Sequence, residues 1–186
     1  MTTATVPSLS ELTGTYTIDP THSRIGFVAR HAMVTKVRGA FNAFDGRAVL
    51  DFADPSRSSA TVSIDVTSID TRQAQRDEHL RTNDFFDAPT FPTISFASTQ
   101  AQRVDEVTFR LTGDLTIKGV TKPVSIDFEH TGAAKDPFGN VRVGFEGSTT
   151  ISRSDYGVTF NAALETGGVL VSEKIVLEFE ISAIKA

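Results

Sequence analysis

At 186 residues with 39% hydrophobic composition, the chain is long enough for one domain with a modest core, and it holds no apolar run of membrane-spanning length. A formal net charge of −5 gives it no basic footprint for nucleic acid. With no cysteine, it can form neither disulfides nor thiolate metal sites, and it has no cysteine nucleophile.

Residues 1–13, rich in Thr, Ser and Ala, are expected to form a flexible tail, with residues 14–186 as a single domain. The first residues carry neither a basic nor an apolar stretch of secretory type, so a cytoplasmic location is expected. From Gly14 the chain alternates apolar and polar residues. GTYTIDP is a short strand stopped by Pro20. Ile25, Phe27, Ala29 and His31 share one face of the next, opposite Arg24, Val28 and Arg30. The stretch from Val37 to Phe52 is too long for one flat strand, and Gly39 and Gly46 are where it is expected to bend or bulge. Asp54-Pro55 is a turn, and Val62, Ile64 and Val66 form a half-buried strand.

The run from Thr71 to Phe86 breaks this pattern by gathering charge around the lone Leu80. A short helix is predicted over about 71–82, with Asp70 as its cap, Gln73 as the capping-box partner, and Asp77 and Arg81 paired on one face. Phe85 and Phe86 then return to the interior, so the helix is placed as a plug or lid over a barrel mouth. Alternation resumes at Ile94 and Phe96. It is cleanest through Val107, Phe109, Leu111, Leu115 and Ile117, and the segment from Ile117 to Lys122 reads as a hairpin into Val124, Ile126 and Phe128. Further strands run through Val141, Val143 and Phe145, then Ile175, Leu177, Phe179 and Ile181, with an irregular piece from Arg153 to Gly157 between them. About eight such strands, each with one wet face, define an all-β fold, best satisfied by an antiparallel barrel that has no sheet edges.

Fourteen Phe, two Tyr and no Trp give rings without a polar handle, suited to a dry core or to an apolar tunnel. Pattern alone does not separate a filled barrel from a hollow one. The chain contains no Gly-x-Ser-x-Gly elbow, Walker loop, Gly-x-Gly-x-x-Gly or His-Glu-x-x-His, and the four histidines lack metal-ligand spacing, so no metal or other cofactor is expected. Arg76, His79 and Arg81, with His31 at a strand end, are candidates for holding a polar or anionic head group at the mouth. The alternative for the helix is a solvated face with internal ion pairs. For Arg153 a structural job is favoured, either clamping a turn through carbonyls or pairing with Asp155 or Asp77.

The ordered segments YTIDPTHSRIGFVARH, VRGAFNAFDG, SIDTRQAQRDEHLRTNDFFDAPTFPTISFAST, GDLTIKGVTKPV and ISRSDYGV together resemble the YceI-like family of polyisoprenoid-binding proteins, from Tyr16 to the final strand. The resemblance implies a lipocalin-like antiparallel barrel whose tunnel holds a polyisoprenoid, an isoprenoid quinone or a fatty amphiphile, for binding, transport or storage without turnover. Phe27, Val62, Ile64, Phe86, Phe96, Phe109, Leu111, Leu115, Ile126, Phe128 and Phe145 would form the wall. Two other readings stand beside it. One is a lipid-modifying enzyme with His31 or His79 as general base and Arg76 steadying an anion. The other is a stress-related interaction module, dimerising through exterior positions such as Val28 and Val34.

Overall fold

Alternating sequence becomes strand nearly everywhere in the computed structural model, which describes residues 7–164 and 168–186. Residues 1–6 of the expected tail lie outside the described residues. The strands are β1 (Gly14–Ile18), β2 (Arg24–His31), β3 (Thr35–Phe41), β4 (Phe44–Leu50), β5 (Ser59–Asp65), β6 (Ile69–Asp70), β7 (Thr93–Arg103), β8 (Thr108–Ile117), β9 (Val120–Lys135), β10 (Val141–Ser152) and β11 (Lys174–Lys185). These eleven segments fall on eight lines, because β1 and β2 follow one another along β11, β3 and β4 lie beside them, and β5 and β6 come next. Every neighbour is antiparallel, and the pairing of β1 with β11 closes the ring. Closure gives each backbone N–H and C=O a partner that an open edge would leave exposed.

The break between β1 and β2 falls at Asp19-Pro20, where proline cannot donate to the ladder. Ser23 bridges the gap, since its hydroxyl donates to the Ser182 carbonyl and accepts from the Ser182 N–H. The second line breaks at Asn42-Ala43 and not at Gly39 or Gly46. Bulges lie elsewhere too, with Thr99 as the extra residue between Ser98 and Gln100 on β7, and Thr131 on β9 opposite the step from Gly144 to Phe145. Gly39 has a packing reason instead: a Cβ there would stand 2.3 Å from the ring of its cross-strand partner Phe27.

The charged insert is shorter than predicted. Helix α2 spans Ala74–Arg81, after a one-turn helix α1 at Leu9–Leu12. Gln73 is the N-cap of α2, its side chain accepting from the Arg76 N–H at 2.6 Å, whereas Asp70 accepts from the Arg72 N–H in the turn before. Arg72 sits at φ 67°, which turns the chain between Asp70, the expected cap, and Gln73, the actual one. Asp77 does not pair with Arg81. It is buried and accepts from the N–H and hydroxyl of Thr71 at 2.9 and 2.5 Å, while Arg81 donates to the carbonyls of Thr67 and Ile69. No helix among the described residues is long and apolar enough to cross a membrane.

Each barrel end has its own apolar cluster. At the end with α1 and the C-terminus, Leu12 of α1 packs with Tyr16, Phe52, Val143 and Ala183. Helix α1 lies in the segment expected to be tail and is fixed by a reciprocal cap between Ser8 and Glu11. At the other end, Phe85 from the segment after α2 packs with Val66, Ile69, Ile117, Tyr156 and Val158. The turn Lys118-Gly119, with both residues at positive φ, joins β8 to β9 there, and the Lys118 ammonium donates to the Asn83 carbonyl at 3.1 Å, tying the lid to the barrel.

On the outer surface, exposed Glu129, Glu146 and Glu180 stand directly opposite one another across β9, β10 and β11. Facing like charges on paired strands are destabilising by roughly 0.2–1 kcal/mol each. Glu146→Lys is therefore expected to raise the melting temperature by about 2–4 °C in low salt, with the gain shrinking as salt is added. Thermal denaturation at two ionic strengths checks this.

Candidate functional site: an apolar cavity along the barrel axis

Inward-facing residues enclose a cavity of about 290 Å³. Phe27 of β2, Val62 and Ile64 of β5, and Phe96 of β7 line one side. Phe109, Leu111 and Leu115 of β8, Ile126 and Phe128 of β9, and Phe145 of β10 line the other, with Phe86 entering from the lid. All eleven residues expected on a wall thus border one space. Ile25, Phe41, Leu177, Phe179 and Ile181 extend it with the same parity. The rings meet at steep angles, as with Phe128 and Phe145, whose centroids are 6.4 Å apart at 80°.

Glycines opposite phenylalanines help to keep the axis open. A Cβ at Gly147 would stand 2.8 Å from the ring of its β9 partner Phe128, as one at Gly39 would meet Phe27. Each ring lies over bare backbone along the wall, where a side chain would push it inward.

Arg153, buried at 6% exposure, lines the lid end together with Tyr156, Val158 and Val171. Its guanidinium donates to the carbonyls of Ser172 at 2.8 Å, Val158 at 2.8 Å, Phe160 at 2.9 Å and Val171 at 3.4 Å. Burial pushes this guanidinium down from its ordinary value, opposed by Glu173. Arg153 therefore clamps the β10–β11 connection through carbonyls and pairs with neither Asp155 nor Asp77.

The four residues expected around a head group share the lid end but no common pocket, and none borders the cavity. His31 is exposed at the end of β2. Arg76 donates to the hydroxyl and carbonyl of Thr71, both at 2.7 Å, and Arg81 is engaged as described above. The His79 Nε2 stands 2.8 Å from the Asp84 carboxylate, and its ring packs edge-on against Phe85 and Phe160 at 5.1 and 5.0 Å. Among the described residues, no group of three His, Asp or Glu is placed to hold a metal ion.

At the opposite end Arg142 joins Asp19 at 2.7 Å and Asp136 at 2.9 Å, pinning the β9–β10 hairpin to the break between β1 and β2. The Thr21 hydroxyl first, then Arg142 and His22, hold the Asp19 carboxyl well below the usual range. Burial would raise Asp136, but Arg142, Asn140 and the N–H groups of Asn140 and Phe138 outweigh it and bring it down to about 2. Both folded values lie below the unfolded value of about 3.9, so the stabilisation is full above that pH and is lost as pH falls toward 2. Arg142→Gln is expected to flatten the decline of melting temperature between about pH 5 and pH 2, measured by circular dichroism.

A closed antiparallel ring of eight lines around an apolar axial cavity defines the class, a lipocalin-like barrel. The chain belongs to the YceI-like family, whose domain model matches residues 16–183. A UPF0312 protein of Staphylococcus aureus (strain MSSA476) is 40% identical over 169 residues, covering 90% of this chain and 95% of that protein. The crystal structure of the Campylobacter jejuni YCEI protein superposes with a TM-score of 0.74 at 30% identity, covering 84% of this chain and 90% of that one. Two more distant structures share the fold. BcnA of Burkholderia cenocepacia has a TM-score of 0.78 at 24% identity, covering 89% of this chain and 98% of that one. A polyisoprenoid binding domain from Saccharophagus degradans has a TM-score of 0.69 at 15% identity, covering 92% of this chain and 98% of that one.

Proposed function

We propose that this barrel binds a polyisoprenoid chain or a similar amphiphile such as a prenyl quinone, for carriage or storage and without turnover. The observation that carries this reading is the axial cavity walled by phenylalanine and aliphatic side chains. Burying a hydrocarbon chain contributes roughly 0.8 kcal/mol per CH₂ before the cost of ordering it, so affinity needs few polar contacts and cavity length selects chain length. The polyisoprenoid binding domain of Saccharophagus degradans, alike in fold, points to the same ligand class. Three of the four charged groups on the lining are engaged elsewhere, which favours binding over chemistry: Arg153 by carbonyls, Asp51 by the N–H groups of Ala53 and Asp54, and Arg110 by Asp127 on the outer face, leaving Arg47.

Native mass spectrometry of protein purified without detergent, followed by organic extraction, tests the proposal. An excess mass matching a prenyl chain is the expected result. A clean apo mass that takes up no added prenyl quinone would count against it.

A further inference from the structure

His130 is the polar member of an otherwise apolar inward row, following Ile126 and Phe128 on β9 just before the Thr131 bulge. Its ring centroid lies 5.2 Å from that of Phe52, 5.1 Å from Phe145 and 6.5 Å from Phe109; all three phenylalanines border the cavity, while His130 itself is one layer removed from the lining, in contact with them. Its Nε2 is buried and has no hydrogen-bond partner among the described residues. Leaving such an atom unpaired is costly, so its position calls for a reason.

We infer that His130 Nε2 is the hydrogen-bond acceptor that anchors a hydroxyl group on the bound amphiphile. This rests on the binding reading above and adds the chemistry and the location of the head group. The anchor lies at the α1 end of the barrel, across the cavity from the Arg76–His79 lid. A neutral oxygen fits and a phosphate does not, because the site is enclosed by three phenyl rings and a charge there would be desolvated without a counterion. Burial pushes the imidazole down from its ordinary value, against a backbone hydrogen bond at Gly132, and so favours the neutral ring. Arg103 stands 6.0 Å over the Phe109 ring, but its guanidinium donates to the carbonyls of Asp105 and Glu106.

The test compares farnesol with the oxygen-free hydrocarbon farnesene, each competed against a fluorescent fatty probe. His130→Leu is expected to weaken farnesol about fivefold while leaving farnesene unchanged or tighter, and His130→Gln, whose amide oxygen keeps an acceptor, is expected to retain farnesol. In wild-type protein labelled with ¹⁵N-histidine, the Nε2 resonance should shift with farnesol and not with farnesene. Equal losses for both probes, or no loss for farnesol, would overturn the anchor and leave the binding reading intact. Failure of wild type to bind either probe would overturn both.

Discussion

Arg153→Ala is expected to cost about 3–5 kcal/mol of stability and to lower the melting temperature by on the order of 10 °C. The size follows from what the guanidinium holds. Four carbonyls, from Val158, Phe160, Val171 and Ser172, converge on one buried side chain. Truncation removes all four bonds at once and leaves the carbonyls facing an apolar space where water has few partners. Arg153→Lys should recover little, because a single ammonium cannot reproduce the planar fork that reaches both limbs of the connection. Thermal denaturation followed by circular dichroism measures the effect. A drop of only a degree or two would mean that the carbonyls find new partners, and that the connection is held instead by Asn161, which bonds the carbonyl and N–H of Val171.

What was legible in the sequence was what period-two alternation encodes. Parity assigned Phe109, Leu111 and Leu115 to one face of β8, the family resemblance made that face the expected wall, and closure of the sheet turns it inward. Strand breaks were harder. Glycine allows a bend, but at Gly39 it makes room for Phe27, a cross-strand demand that no local window contains. The start of α2 was placed too early, with Asp70 as cap and Gln73 as its box partner, because both accept from backbone N–H groups there; the positive φ of Arg72 turns the chain between them and leaves Gln73 as the cap. Asp77 looked like a surface partner for Arg81 because spacing reports proximity on a helix and says nothing of burial against Thr71. The Ser8-x-x-Glu11 spacing of a capping box stands in the sequence, but the Thr-, Ser- and Ala-rich composition around it led to a tail. Carbonyl partners leave no mark on side-chain sequence. For that reason the Arg76 and Arg81 guanidiniums could be offered to a head group, although backbone oxygens occupy both.

Val62→Trp is expected to weaken binding of a prenyl alcohol by about 100-fold while changing stability by less than about 1 kcal/mol. These two halves together distinguish a hollow barrel from a packed one. Val62 lies on the cavity wall between its cross-strand partners Gly46 and Phe96. In a filled core, an indole in place of an isopropyl group would force neighbours off their rotamers at a cost of roughly 1–3 kcal/mol. Here the ring projects into space that already exists, so the strain is small. The space it takes is denied to the ligand, and excluding about four carbons at roughly 0.8 kcal/mol each accounts for the expected loss. The native chain has no tryptophan, so the new indole also reports on its own surroundings. Blue-shifted emission, unmoved by added farnesol, would place it inside a blocked cavity. Large destabilisation with unchanged binding would mean instead that Val62 packs against protein and the ligand lies elsewhere.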